Sequence, residues 1–333
     1  MIARAGARVT ITGLGCHVPD RVVTNDELAR TLKTSDEWIV SRTGIRERRI
    51  AAPAEAMTDL ALPACKRALE VAGADPAEID LLIVATVTPD MAFPSTAALL
   101  AASLGMPDAA AYDLSAGCTG FMYALAQAYG MLASGLSRRA LVVGGDVLSR
   151  ILDWNDRSTV VLFGDGAGAV VLEASDHGGF LGFELGADGA GGASLWLPGS
   201  GSRAFEHPDR VLRMNGREVF KFATRVMVVS AEAILAKCGK TVEDIDVYVP
   251  HQANVRIIDH AAAKLGVPAE KIVVNVDRYG NTSSGSIPLA LADAAEDGRL
   301  QPGRLVLMTG MGAGLTWGSA LIEWTHLMTG AVV

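Results

Sequence analysis

Apolar positions along this chain fall into two kinds of run. Short runs rich in β-branched residues, Leu81–Val87, Ala140–Val143 and Val160–Phe163, predict buried strands. Between them, Thr58–Ala72 and Thr119–Ala133 are Ala-rich with apolar residues three and four apart, which predicts helices. The second half continues in the same style. A helix is expected over Val219–Ala236, a strand over Val247–Val249, a helix over Asn254–Lys264 and a strand over Leu305–Thr309. Strands alternating with helices mean mixed α/β layers.

The two halves also match in detail. Glu78-Ile79-Asp80 leads into LLIVAT, and Asp244-Ile245-Asp246 leads into VYVP. The run Arg139–Val143 reaches Gly144-Gly145, as Arg304–Leu307 runs toward Gly310 and Gly312. Gly168–Glu173 resembles Gly318–Glu323. Counted from Asp80 to Asp246, Leu141 to Leu305 and Gly168 to Gly318, these matches lie 166, 164 and 150 residues apart and in the same order, so an internal duplication is expected, with its boundary near Ser175–Gly179. Gly186–Pro208, rich in Gly, Ser and Pro, reads as a long excursion.

Composition narrows the class. Of 333 residues, 50% are hydrophobic and 20% charged, enough for a large core. Thirty-six glycines and few aromatics suit close-packed helices on sheets. The net charge of −8 argues against a general nucleic-acid binder, which needs surplus Lys and Arg. No secretory signal or membrane span is read from the chain. Cys16, Cys65, Cys118 and Cys238 are widely spaced, without a CxxC pair. Neither a zinc site nor a disulfide framework is suggested, and a cytoplasmic, reducing compartment is expected.

Three residues are candidates for chemistry. Cys118, in Ser115-Ala116-Gly117-Cys118-Thr119-Gly120-Phe121, stands between a strand end and a helix start. The helix dipole and free N–H groups there favour a thiolate. A buried structural thiol is the competing reading. His251 follows a short strand, in Pro250-His251-Gln252-Ala253-Asn254. It is either a cleft residue able to bond a carbonyl or an idle strand-end histidine. Asn281, in Tyr279-Gly280-Asn281-Thr282-Ser283-Ser284-Gly285-Ser286, is either a turn residue or an amide donor to a developing oxyanion. The glycines of Gly310-Met311-Gly312-Ala313-Gly314 fit neither nucleotide-binding spacing. They imply close backbone approach, useful for pointing a peptide N–H into a site.

Together these segments resemble the β-ketoacyl-[acyl-carrier-protein] synthase III family over essentially the whole chain. SAGCTGF, PHQAN and YGNTSSGS carry the resemblance, with SDEWIVSRTGI (Ser35–Ile45), FGDGAGAVVL (Phe163–Leu172) and GMGAGLTWGSAL (Gly310–Leu321). Thiolases would use a second cysteine in place of the His/Asn pair, and elongation ketosynthases two histidines. The resemblance implies an α/β, thiolase-like fold of two duplicated halves in a five-layer αβαβα sandwich. Residues 1–177 would carry the nucleophile, and residues 178–333 the His and Asn.

It also implies roles. Cys118 would accept the acyl group. His251 and Asn281 would stabilise the enolate left when malonyl thioester loses CO₂, and the N–H groups of Cys118 and Ala313 would form an oxyanion hole. Coenzyme A would meet Trp38 and Arg157 as a stacking pair, with Arg42 and Thr43 at its nucleotide end and Gly216, Phe220 and Asn254 along its pantetheine arm. Phe93, reaching across a homodimer, would join Leu148, Phe163, Leu195, Leu212 and Met311 around a small to medium primer pocket. Phe93 favours short primers and Met311 adapts to branched ones. Lys221 and Arg256 would dock the acidic acyl carrier protein, a local attraction acting within a Debye length of about 8–10 Å. No cofactor is required beyond the coenzyme A thioester substrate.

The resemblance thus implies an acyltransferase that condenses an acyl-CoA primer with malonyl-acyl carrier protein and so starts fatty acid synthesis. Same-fold rivals are an acyl transferase without decarboxylation and a starter-unit enzyme of secondary metabolism. A non-catalytic acyl-CoA or carrier-protein binding module is the rival of another class. A cysteine hydrolase lacks a recognisable segment around Cys118.

Overall fold

The computed structural model describes residues 8–202 and 209–328, so part of the excursion ending at Pro208 lies outside the described residues. In chain order the elements begin with β1 (Arg8–His17), β2 (Val22–Thr24), α1 (Asn25–Ala29), α2 (Asp36–Thr43), β3 (Glu47–Arg49), α3 (Met57–Ala72), β4 (Leu81–Ala85), α4 (Thr96–Leu104) and β5 (Ala110–Leu114). They continue with α5 (Gly120–Ala133), β6 (Arg139–Asp146), α6 (Arg157–Val160), β7 (Gly166–Ser175), β8 (Gly179–Ala187), β9 (Leu195–Trp196), β10 (Arg213–Met214) and α7 (Gly216–Lys237). Last come β11 (Val247–Pro250), α8 (Val255–Leu265), α9 (Val276–Tyr279), α10 (Ser286–Glu296), β12 (Leu305–Gly312) and β13 (Thr316–Glu323).

Two sheets organise these elements. The first runs β1-β7-β6-β4-β5 and the second β8-β13-β12-β11. In each, a parallel pair (β4 with β6, β11 with β12) is followed by antiparallel neighbours. The fifth position of the second sheet is reduced to one parallel bridge, Tyr248 to Ile272. The run LLIVA is buried at every position because β4 is central and covered on both faces. Asp80 and Asp246 precede equivalent strands and do the same work. Asp80 accepts the N–H groups of Arg138 and Arg139, and Asp246 accepts the N–H of Leu305 and the guanidinium of Arg304.

Apolar contacts define the layers. Helices α5 and α10 lie between the sheets in one continuous core with β1, β4, β6, β11, β12 and β13. Helices α3 and α4 cover the outer face of the first sheet, and α7 and α8 that of the second. The result is the five-layer αβαβα sandwich of two duplicated halves.

One expected strand is absent. Val160–Phe163 lies in and after the helical turn α6, whose start Asp156 caps by accepting the Ser158 N–H. Val160, Val161 and Phe163 are buried in an irregular segment, so burial rather than sheet pairing accounts for the run. Only Phe163 bridges to a neighbour, Asn281. The excursion that follows β8 is partly ordered by β9 pairing back onto β10. Among the described residues, no helix is long and apolar enough to cross a membrane.

Candidate active site

The central helices α5 and α10 both begin beside the ends of β6 and β12, and the candidate residues gather there. Cys118 occupies the turn between β5 and α5. Gly117 takes a left-handed φ of 57°, and a side chain on it would strike the Ala313 backbone at 2.6 Å. A side chain on Gly312 would come within 2.5 Å of the Cys118 nitrogen. These contacts explain the glycines on both segments, because the cysteine turn lies against the loop that follows β12. Thr316 ties the two together, its hydroxyl lying 2.9 Å from the carbonyl oxygens of Ala116 and Ala313.

Cys118 is 9% exposed and faces two cavities. One, of about 260 Å³, is lined by Leu148, Ile151, Phe163, Leu195 and Leu212, with Val87, Trp196 and Leu197. The other, of about 170 Å³, brings Cys118 together with His251 and Asn281, and with Gly216, Phe220, Asn254 and Met311. Burial pushes the Cys118 thiol up to about 11. The Ser283 hydroxyl and the N–H groups of Cys118 and Ala313 pull the other way. The helix start was expected to favour a thiolate, but desolvation wins at this depth and the resting sulfur is protonated.

His251 is 1% exposed. Burial lowers its pKa to about 4, so the ring is neutral near pH 7. Its Nδ1 lies 2.5 Å from the Ser286 hydroxyl, and its Nε2 has no hydrogen-bond partner. Ser286 Oγ also accepts the Gln252 N–H at 3.3 Å. With the Ser286 proton directed at Nδ1, the ring proton sits on Nε2 and is free to donate into the cavity. Asn281 is fixed similarly. Its Oδ1 accepts the Ser283 N–H at 2.9 Å, which leaves the amide nitrogen to donate. Two neutral donors on one cavity suit a developing oxyanion.

The remaining expected residues divide. The Arg157 guanidinium lies over the Trp38 ring at 4.8 Å, so the two side chains contact each other directly. Asn254 caps α8 and donates to the Arg42 carbonyl. Thr43 requires correction. It is buried, its hydroxyl donates to the Ile39 carbonyl and accepts from the Ile45 N–H, and it therefore closes α2 rather than facing a ligand. Met311 also moves, to the His251 side rather than the larger cavity. Phe93 is 85% exposed and does not line the larger cavity of its own chain. Lys221 and Arg256 are exposed, with Arg256 over the Phe220 ring at 5.4 Å.

Sequence reasoning missed Asp146, Ser283 and Ser286. Asp146, fully buried at the end of β6, accepts from Thr86, Val87, Thr88 and Ser284. Burial raises its pKa against those bonds. The serines stood in view within YGNTSSGS, but nothing in that string separates a turn serine from one aimed at a histidine 35 residues away.

Two duplicated α/β halves around a cysteine, with a neutral histidine and an asparagine amide across the cavity, define a thiolase-fold condensing enzyme. Comparison with known proteins agrees. The family described as 3-oxoacyl-[acyl-carrier-protein] synthase III matches residues 112–189, and its C-terminal counterpart matches residues 235–324. The β-ketoacyl-[acyl-carrier-protein] synthase III of Symbiobacterium thermophilum is 54% identical over 95% of this chain and 98% of its own. The crystal structure of the Thermus thermophilus enzyme of that name has 51% identity and a TM-score of 0.91, covering 95% of this chain and 99% of that one. The priming β-ketosynthase of the R1128 polyketide pathway has 40% identity and a TM-score of 0.92, covering 97% and 99%. The chain belongs to the β-ketoacyl-[acyl-carrier-protein] synthase III family, whose members are condensing acyltransferases.

Proposed function

We propose that Cys118 takes the acyl group of an acyl-CoA primer and that the chain condenses it with malonyl-acyl carrier protein to a 3-oxoacyl product, initiating fatty acid synthesis. One observation carries this reading: the buried thiol shares a cavity with the unpartnered Nε2 of a neutral His251 and with the Asn281 amide. In the first step sulfur attacks the thioester carbonyl, the N–H groups of Cys118 and Ala313 hold the oxyanion, and coenzyme A leaves with the thiol's proton. In the second, malonyl thioester loses CO₂ and the electron pair passes into an enolate held by His251 and Asn281. The enolate carbon then attacks the acyl carbon, the carbon–sulfur bond breaks, and the Cys118 sulfur leaves with the pair and is reprotonated. Decarboxylation supplies the carbanion, so this chemistry asks for no cofactor beyond the thioesters.

Trp38 and Arg157 would stack the adenine, and Arg42, Gly216, Phe220 and Asn254 would line the path from there to the sulfur. Leu148, Phe163, Leu195 and Leu212 would hold the primer, with Phe93 of a second copy closing the pocket in a homodimer. Lys221 and Arg256, exposed on α7 and α8, offer the carrier protein a basic patch. The division at residues 177 and 178 would leave the nucleophile on one half and both donors on the other. A cytoplasmic enzyme fits free thiols and soluble thioester substrates. The test is release of labelled CO₂ from malonyl-acyl carrier protein in the presence of an acyl-CoA. Stoichiometric CO₂ and 3-oxoacyl product are expected, and acyl transfer without CO₂ would contradict the reading.

A further inference from the structure

Ser283 carries two costs that its surroundings do not explain. Its φ is +53°, a left-handed conformation that ordinarily goes to glycine or asparagine, and among the described residues it is the one non-glycine with positive φ. Its hydroxyl is buried without a hydrogen-bond partner, in a residue 1% exposed. The backbone turn itself has a use, since it brings the Ser283 N–H onto Asn281 Oδ1. Glycine would serve that use without strain. The side chain therefore calls for its own account.

Ser283 lines the larger cavity with Gly117, Cys118 and Ala313. Its hydroxyl stands near both the Cys118 thiol and the Asp146 carboxylate and favours the charged form of each. It closes a full hydrogen bond to neither. Asp146 is already served by four other residues. A protonated thiol is a weak acceptor, whereas a thiolate is a strong one. The N–H groups of Cys118 and Ala313 also approach the sulfur, but both are needed on the carbonyl oxygen during acyl transfer. In the condensation step His251 and Asn281 are likewise taken up by the enolate, so the Ser283 hydroxyl is the donor left for the sulfur as it is expelled.

We propose that the Ser283 hydroxyl is the donor that receives the Cys118 thiolate, both as it forms for attack and as it is expelled in the condensation step. This rests on the reading of Cys118 as the nucleophile. When the carbon–sulfur bond breaks, sulfur keeps the electron pair and Ser283 Oγ–H turns onto it, so no proton is transferred by the serine itself. Paired with the thiolate, the hydroxyl loses the unpartnered state it has at rest.

The test follows Cys118 alkylation by iodoacetamide, read by peptide mass, from neutral pH to about pH 11 in Ser283→Gly and Ser283→Ala. Glycine removes the hydroxyl and the strain together, and alanine removes the hydroxyl alone. Both variants are expected to slow labelling about tenfold across that range, the loss of thiolate that a rise of about one pH unit in the thiol's pKa produces. Ser283→Gly is expected to melt no lower than the parent, so a folding defect does not mimic the result. Ser283→Gly labelling like the parent at every pH would overturn the proposal while leaving Cys118 as nucleophile. A parent enzyme that takes no acyl group from any acyl-CoA, weighed intact, would sink both.

Discussion

The starts of α5 and α10 occupy matching places in the two halves, and they are built to opposite ends. Before α5 the chain presents one reactive atom, the Cys118 sulfur, at the junction of two cavities. At the start of α10 two hydroxyls are spent on structure, while Asn281 and Ser283 just before it line the cavities. Ser284 donates to the Ala85 carbonyl and meets Asp146, and Ser286 holds the His251 ring. On the proposed reading the first helix start supplies the nucleophile, and the second supplies the Asn281 donor and the frame around both. A duplicated scaffold can divide labour in this way because each copy projects its helix start at the same point, so one copy is free to change its chemistry while the other fixes geometry.

If that division is real, the two sides fail differently. Removing the nucleophile, Cys118→Ala, should cost on the order of a thousandfold or more in condensation and abolish primer loading. Steady-state product formation reads the first effect and intact mass the second. His251→Ala should cost about a hundred- to a thousandfold in CO₂ release, the range expected for a lost oxyanion donor, while primer loading continues. Loading and CO₂ release falling together in that variant would break the comparison.

Acid stability sharpens it. His251 is held below its unfolded value of about 6.5, at about 4, by burial. The unfolded chain therefore binds the extra proton first as pH falls. The stability this histidine contributes is present above about pH 6.5 and lost as pH drops toward 4, by about 3 kcal/mol. Urea unfolding should show the parent losing about 3 kcal/mol more stability than His251→Gln across that window. Equal losses would mean that the ring is not buried neutral.

The smallest effect belongs to the rim. Trp38→Ala should raise KM for the acyl-CoA about two- to fivefold with kcat nearly unchanged, the scale of one exposed cation–π stack. An equal fall in kcat would place Trp38 deeper in the chemistry than its stacking on Arg157 implies.

How much of this was legible in the sequence follows from what each feature depends on. The strand from Leu81 was readable because a strand buried on both faces needs an unbroken apolar run. The same signal misled at Val160–Phe163, where the run is buried without pairing. Cys118 was readable as a helix-start thiol, because strand end, small residues and helix start are local. Its electrostatics were not, since the desolvation that raises its pKa comes from segments such as the loop after β12, nearly 200 residues away. Thr43 was misplaced for a related reason. A motif marks a segment but not which of its side chains turns inward, and here the hydroxyl closes its own helix. Ser283 and Ser286 needed a dihedral angle and a partner, and neither is written in a string of serines and glycines.

The most direct test of the central claim is the intact mass of the parent, Cys118→Ala and His251→Ala after incubation with a panel of acyl-CoAs. The account predicts a gain of one acyl group in the parent and in His251→Ala, and none in Cys118→Ala. An acyl group retained in Cys118→Ala, or absent from all three proteins with every acyl-CoA offered, would contradict it.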